Sequence, residues 1–531
     1  MTTAGELLRQ GRRDEIWKKY CGFLDLSIEE FMEIQKRLLM DQIQRLSQCK
    51  LGRKLLGDRV PASVDEFRQV VPLTTYKDYL PYLDEKREDV LPEKPLFWVH
   101  TSGRSGEYRF KWVPTPERHF REGIKGPFAS IILSTCQRRG HFALEEGDKF
   151  LYCVAPLPYA SGSMPYGLAG EFPFEFLPPV QKAEEMTFQE RSEEGFRLAF
   201  REGLDVFYGM SSILVRVGEQ FSRESGKVTM SAALLHPQSL YRLTKGLIKS
   251  QLARRPMLPQ DLWTLKGLVC GGMDTAIFRE KIKYYWGRYP IEFYGSSETG
   301  LTATQTWDYG SLTFFPDGGF LEFIPEEEHL KARRDPHYQP RPVLLDEVKA
   351  GQKYELVSTN YWGGIFVRYR VGDMIKIVAL RNENLDIDIP QMVFEAKCDD
   401  IIDIAGFTRL NEKAIWQAIE DSGIPYQDWV LRKEIIEGEP TLHLYVELKE
   451  EGVRPDEVKE AVHESLKAVD SDYSDLEKLL GLKPLHVSLL PLGTFQTYLL
   501  ERQASGADLA QLKPPHMNPS DEVIRRLREL R

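Results

Sequence analysis

The sequence predicts an α/β protein made of one large domain followed by a smaller one, and three observations carry that prediction. At 531 residues the chain exceeds what a single hydrophobic core serves. From Leu204 onward, short apolar runs at 206–208, 268–270 and 291–294 alternate with amphipathic stretches, the pattern of strands joined by crossover helices. Beyond Lys397 a fresh set of elements begins, which puts a boundary near 396–402 and gives a large domain over 1–398 and a small one over 399–531.

The elements follow in order. Ile28, Phe31, Met32, Ile34, Leu38 and Leu39 recur on one helical stripe, so the first ninety or so residues read as a helical cap. Residues 71–76 look like an extended, proline-bounded link, and 97–100 like a short strand entering a glycine-rich turn. Between Phe150 and Val180, Pro156, Pro158, Gly162, Pro165, Gly167 and Gly170 are dense, as in loops that line a cleft, and part of a substrate pocket is expected there. After Gly318 and Gly319 the pattern becomes strands at 320–323, 353–358, 365–369 and 374–380, a β-rich subdomain. Residues 381–390 are polar and loop-like. In the small domain a helix is expected from Asn411, a strand over 441–448 and a helix from Pro455.

Composition removes several classes of function. Lys+Arg 70 against Asp+Glu 80 gives a net charge of -10 without a long basic run, which argues against nucleic acid as a partner. Six scattered cysteines (Cys21, Cys49, Cys136, Cys153, Cys270, Cys398) form no CxxC pair, so neither a zinc site nor a disulfide framework is expected, only reduced and mostly buried thiols. There is no signal-like N-terminus and no apolar run of membrane length, so the expectation is a cytoplasmic protein without a membrane partner.

Three stretches carry chemistry. Thr101, Ser102, Gly103, Arg104, Ser105 and Gly106 combine hydroxyls with glycines, which let backbone N–H groups close on a phosphate, and Arg109 and Lys111 follow. An ordinary surface turn fits that stretch equally well by itself. Gly271 and Gly272 end a buried strand where a flat ring could lie on bare backbone. Tyr294, Gly295, Ser296, Ser297 and Glu298 end the next one, and neighbouring parallel strand ends form ligand clefts. Glu298 is suited to Mg2+, which takes hard oxygen ligands, or else to capping a helix. Tyr369, Arg370, Val371, Gly372 and Asp373 offer a carboxylate for ribose hydroxyls, or a structural Arg–Asp ion pair.

The order and spacing of these stretches resemble the adenylate-forming superfamily of acyl ligases and luciferase-like enzymes, and within it the auxin-responsive acyl-acid amido synthetases and their bacterial relatives. The family's Ser/Thr-rich phosphate loop is matched by Thr101 to Gly106, its Tyr-x-x-Ser/Thr-Glu motif by Tyr294 to Glu298, and its Tyr-Arg-x-Gly-Asp motif by Tyr369 to Asp373. Residues 71–79 resemble its N-terminal signature and 397–410 its hinge. The segments 493–498 and 511–515 are similar to the one with its late catalytic lysine. Arg104 stands in place of a hydroxyl residue, Tyr108 of a proline, Arg109 of a lysine and Lys397 of the commoner hinge arginine.

The resemblance implies a large adenylate-forming domain with a smaller, mobile α+β lid. It implies an enzyme that uses ATP and Mg2+ to activate a carboxylic acid as its acyl-adenylate and passes the acyl group to an amine such as an amino acid. A coenzyme A thioester ligase using the same first step is the alternative, and a non-catalytic binder is a third reading. The implied catalytic residues are Lys513 and Glu298, with Glu298 on the metal. Thr101, Ser102, Gly103, Ser105, Gly106, Gly271, Gly272, Tyr294, Gly295, Ser296, Ser297, Asp373 and Lys397 are implied nucleotide contacts. Tyr159, Met164, Tyr208 and Met210 lie where an acyl pocket could form, or are plain core.

Overall fold

The computed structural model describes residues 2–57, 59–101, 111–223, 236–271, 275–335, 337–398, 400, 402–404, 408–436, 439–450, 452–471, 473–474, 483–504 and 516–530. The chain divides into two compact units, one of Met1–Val371 with Ile375–Phe394 and one of Gly372–Met374 with Glu395–Arg531.

The first unit opens with helices Ala4–Arg9, Arg13–Cys21, Ile28–Leu46, Lys50–Leu56, Val64–Val70 and Tyr76–Leu83. Ser27 and Glu30 close a capping box on the longest of them, which fixes where it starts. Its buried stripe holds Phe31, Met32, Leu38 and Leu39 as the periodicity predicts, but also Gln35 and Gln42. Gln35 donates to the Gly319 carbonyl (2.7 Å) and accepts from Leu321 N (3.3 Å). Gln42 donates to the Gly364 carbonyl (2.6 Å) and accepts from Gly363 N (3.0 Å). Two amides thus dock the cap onto loop backbone that would otherwise be buried without partners.

Strands β1 (Pro95–His100) and β2 (Trp112–Pro116) form an antiparallel hairpin. The large sheet contains β3 (Lys149–Cys153), β4 (Glu175–Leu177), β5 (Val206–Met210), β6 (Gly267–Gly271), β7 (Ile291–Ser296), β8 (Gly300–Thr304), β9 (Leu312–Phe314), β10 (Phe320–Pro325), β11 (Lys353–Thr359), β12 (Tyr369–Ala379) and β13 (Gln391–Lys397). Its order is β10-β11-β12-β13-β9-β8-β7-β6-β5-β3-β4. The steps β4–β3–β5–β6–β7 are parallel, with crossover helices such as Phe188–Glu202 and Thr275–Trp286, whereas β7–β8, β8–β9, β9–β13 and β10–β11 are antiparallel. The β-rich half after Gly319 therefore continues the parallel half by hydrogen bonding.

One expected strand differs. Of 365–369 only Tyr369 is extended sheet, because Arg368 turns the backbone at φ 44°. Its guanidinium lies buried, bidentate on Glu322 (2.9 Å each) and donating to the carbonyls of Arg68 (2.7 Å) and Val71 (2.5 Å). The link at 71–76 is fastened to the same place: Thr74 N donates to Arg368 O (2.9 Å) and Arg370 N to Thr74 O (2.8 Å).

In the second unit β14 (Ile402–Ile404) pairs with β15 (Thr408–Leu410), and Asn411 caps the helix Glu412–Asp421. Strands β16 (Tyr426–Ile436) and β17 (Glu439–Leu448) are antiparallel, and the helix Pro455–Val469 crosses over to β18 (Leu485–Leu490), parallel to β17. The expected elements from Asn411, over 441–448 and from Pro455 are all present. Helices Thr494–Ala504 and Asp521–Glu529 pack on a core of Val430, Tyr445, Leu490, Phe495, Ile524 and Leu527.

All six cysteines are buried. Among the described residues no helix is long and apolar enough to cross a membrane.

Candidate active site

Parallel pairing of Val269 with Ile291 and Cys270 with Glu292 sets the ends of β6 and β7 side by side, as the sequence leads one to expect. A side chain on Gly271 would start 2.6 Å from the Phe293 ring, so the ring filling that space is the chain's own. Phe293 in turn stacks on Tyr208 (5.3 Å, 19°), and Tyr294 stacks on Phe394 (6.1 Å, 27°). Met210 is half-buried, whereas Tyr159 and Met164 are core.

The tight turn from β7 into β8 explains its residues. A Cβ on Gly295 would sit 2.5 Å from Gly300 O, so only glycine fits the close approach. Ser296 Oγ bonds Thr299 Oγ1 (2.9 Å) and accepts from Thr299 N (3.1 Å), closing the turn locally. Ser297 is half-buried.

Glu298 is 7% exposed and is the residue on which the motifs converge. Its Oε1 lies 3.5 Å from Lys111 Nζ and accepts from the Tyr369 hydroxyl at 3.1 Å. Its carbonyl accepts from Asn360 Nδ2 (2.9 Å), and Asn360 Oδ1 accepts from Phe366 N (3.0 Å). Burial, then the Glu298 charge and the hydrogen bond to it, push the Tyr369 phenol far up, so it remains a donor. Both side-chain contacts fall on Oε1. No described residue donates to Oε2, a hard oxygen of the kind that Mg2+ takes.

Lys111 is held by the hairpin. Its carbonyl accepts from Thr101 N (3.2 Å), directly beyond the last register pair, His100 with Trp112. Its ammonium lies 5.7 Å from the centre of the Tyr76 ring, while the Tyr76 hydroxyl accepts from Trp112 N (2.6 Å) and donates to Trp112 O (3.1 Å). His100 packs edge-on against Trp112 (4.9 Å) and Tyr159 (4.4 Å). Burial, helped by the Lys86 charge and opposed by a hydrogen bond with Thr101 O, keeps its imidazole below the ordinary range. Both ends of the glycine-rich turn are therefore fixed. Ser102, Gly103, Arg104, Ser105, Gly106, Tyr108 and Arg109 lie outside the described residues, as do Gly272 and Lys513.

Arg370 forms a bidentate pair with Glu355 (2.8 and 2.6 Å), which also meets His329 Nδ1 (2.6 Å). In the second unit, the buried Asp373 carboxylate accepts from the half-exposed Lys397 ammonium, and Gly372 (φ 78°) offers its carbonyl to Cys398 N at 2.9 Å. Asp373 and Lys397 are thus brought together. Sequence reasoning names Lys111 only as a basic neighbour of the loop and does not find Asn360, which no motif signals.

Comparison with known proteins agrees with this order of parts. Models of the GH3 family N-terminal, central and C-terminal domains match residues 21–161, 312–397 and 412–522. A jasmonoyl–L-amino acid synthetase of Oryza sativa subsp. japonica is 27% identical over 49% of this chain and 46% of its own length. One from Nicotiana attenuata is 28% identical over 47% of this chain and 43% of its own. The matched segments thus span a little under half the length of these curated relatives. A solved GH3.15 acyl acid amido synthetase shares the fold, with a TM-score of 0.68 at 17% identity over 94% of each chain.

Proposed function

Because the chain belongs to the GH3 family, we propose that it is an ATP-dependent acyl-acid amido synthetase. A carboxylate is a poor electrophile, since its leaving group would be oxide. In the proposed reaction an acyl carboxylate oxygen attacks the α-phosphorus of ATP, the bond to the β-phosphate oxygen breaks, and pyrophosphate leaves. The amine of an amino acid then attacks the acyl carbon, giving an amide and AMP and releasing one proton.

Positioning and charge neutralisation supply the catalysis. Lys111 and Tyr369 orient the Glu298 carboxylate, which would be the residue to hold Mg2+. The metal would supply neutralisation of phosphate charge. Thr101, Ser102, Gly103, Ser105 and Gly106 cradle phosphates with N–H and O–H donors, Ser296 and Ser297 flank them, and Gly272, Tyr294 and Gly295 frame the base, whereas the space beside Gly271 is taken by Phe293. Asp373 takes ribose hydroxyls, released from Lys397 when the nucleotide binds, and Lys513 is the cation for the adenylation step.

The observation that carries this reading is the meeting of Lys111, which follows the first motif, with Glu298 and Tyr369 of the other two at a single buried carboxylate oxygen. The test is mass analysis of products from ATP, a panel of acids and either amino acids or coenzyme A. An acyl amide with AMP and pyrophosphate is expected. A thioester without amide makes the chain a coenzyme A ligase, and neither product with any acid overturns the proposal.

A further inference from the structure

A polar cavity lies among the residues where the sequence leads one to expect part of a substrate pocket. It is lined by Tyr152 on β3, Leu157, Gly162, Pro165, Tyr166, Val180, Glu184 and Arg191, and its volume is about 30 Å3. A water needs roughly 10–15 Å3 by this measure, so there is room for about two oxygen-sized groups.

Arg191 sits in the first turn of the helix Phe188–Glu202 and is 4% exposed. It donates from Nη2 to the Ala183 carbonyl (2.7 Å), and its guanidinium carbon lies 5.7 Å from the centre of the Tyr152 ring. Its Nε has no partner, and among the described residues no carboxylate comes within 4.0 Å of it. Glu184, at the exposed rim, is instead held by the Tyr166 hydroxyl at 3.2 Å. The Tyr152 hydroxyl is buried without a partner as well, and so is Ser161 Oγ in the adjacent turn. Burial, which outweighs the Arg191 charge, pushes the Tyr152 phenol up to about 12, so it keeps its proton and donates.

A buried guanidinium without a counter-charge and a buried hydroxyl without an acceptor are each costly, and they border one cavity. Both are donors, so the missing group is an acceptor that carries negative charge. Arginine matches carboxylates in bidentate fashion, and the cavity has space for two oxygens. We propose that this cavity binds a carboxylate, with Arg191 as its counter-ion and the Tyr152 hydroxyl as a second donor.

The experiment titrates the full chain with sodium formate, acetate, glycine and chloride at constant ionic strength, read by calorimetry and thermal unfolding. Variants Arg191→Met and Tyr152→Phe are compared. Saturable formate binding is expected, weakened at least fivefold by Tyr152→Phe and abolished by Arg191→Met, with chloride ineffective. In anion-free buffer Arg191→Met unfolds no lower than the wild type, because it removes an uncompensated charge. Should Arg191→Met fail to fold, Tyr152→Phe decides the matter alone. Glycine binding without acetate binding assigns the site to an amino acid, and binding of both assigns it to simple acids. No saturable response means the cavity holds water only, an equal response to chloride means unselective anion binding, and a formate response that survives in the folded variants places binding elsewhere; each overturns the proposal.

Discussion

His516 makes a sharp test of how the second unit is held together. Its Nδ1 lies 2.6 Å from Glu412 Oε1 and its Nε2 2.9 Å from Asp428 Oδ1, while the ring stacks on Trp429 at 4.4 Å and 11°. Its carbonyl accepts from Leu431 N (2.6 Å), so the contact ties the chain just after Pro515 to β16. Burial alone lowers a histidine's pKa. Here the hydrogen bonds and charges of Asp428 and Glu412 outweigh burial and hold it up to about 9. An unfolded histidine titrates near 6.5, so the folded form binds the extra proton more tightly. The stabilisation is complete below about 6.5 and is lost as pH rises through about 9. At about 1.4 kcal/mol per pH unit that interval gives roughly 3 kcal/mol, or a few hundredfold in the opening equilibrium. His516→Gln removes the charge and keeps a polar side chain. Hydrogen exchange by mass spectrometry, on peptides covering 412–421 and 426–436, compares variant with wild type at each pH. A protection gap of up to a few hundredfold at pH 6 that has largely closed by pH 10 is expected. The same gap at both pH values, or none at pH 6, refutes the charged clamp.

Three further outcomes follow from the first unit and from the motifs. Glu298→Gln removes the charge that faces Lys111 and lowers acid-dependent pyrophosphate exchange by about 10²–10³-fold while the chain stays folded, checked by exchange rate and thermal unfolding. Lys513→Ala lowers adenylate formation by orders of magnitude with nucleotide binding largely kept, measured by single-turnover kinetics and calorimetry; an unchanged rate removes Lys513 from the mechanism. Gln42→Leu strands the Gly363 N–H and the Gly364 carbonyl, at about 1–3 kcal/mol for each group, and lowers the thermal midpoint of the first unit.

What the sequence shows and what it hides divide on physical grounds. The parallel strands are legible because apolar runs ending in glycine have few alternatives, and Gly295 is forced by a 2.5 Å approach to a carbonyl. Gln35 and Gln42 interrupt an apolar stripe, and periodicity has no term for an amide that reads a distant loop's backbone. Arg368 is equally hidden. A run of apolar residues ending in Arg-Tyr looks like a strand, until Glu322, 46 positions away, turns out to hold the guanidinium at a bend. Glu298 is found from its motif. Its partners are not, because Lys111, Asn360 and Tyr369 reach it only through the hairpin and the sheet order, which are facts of tertiary structure. The pairing of Arg370 with Glu355 likewise depends on strands adjacent in space, not in sequence.

The most direct measurement is ATP–pyrophosphate exchange with a panel of carboxylic acids and no amine present. Label should enter ATP only when a suitable acid is added, and Glu298→Gln should abolish most of that incorporation. Exchange with no acid in the panel while ATP still binds, or exchange indifferent to Glu298→Gln, contradicts adenylation at this carboxylate.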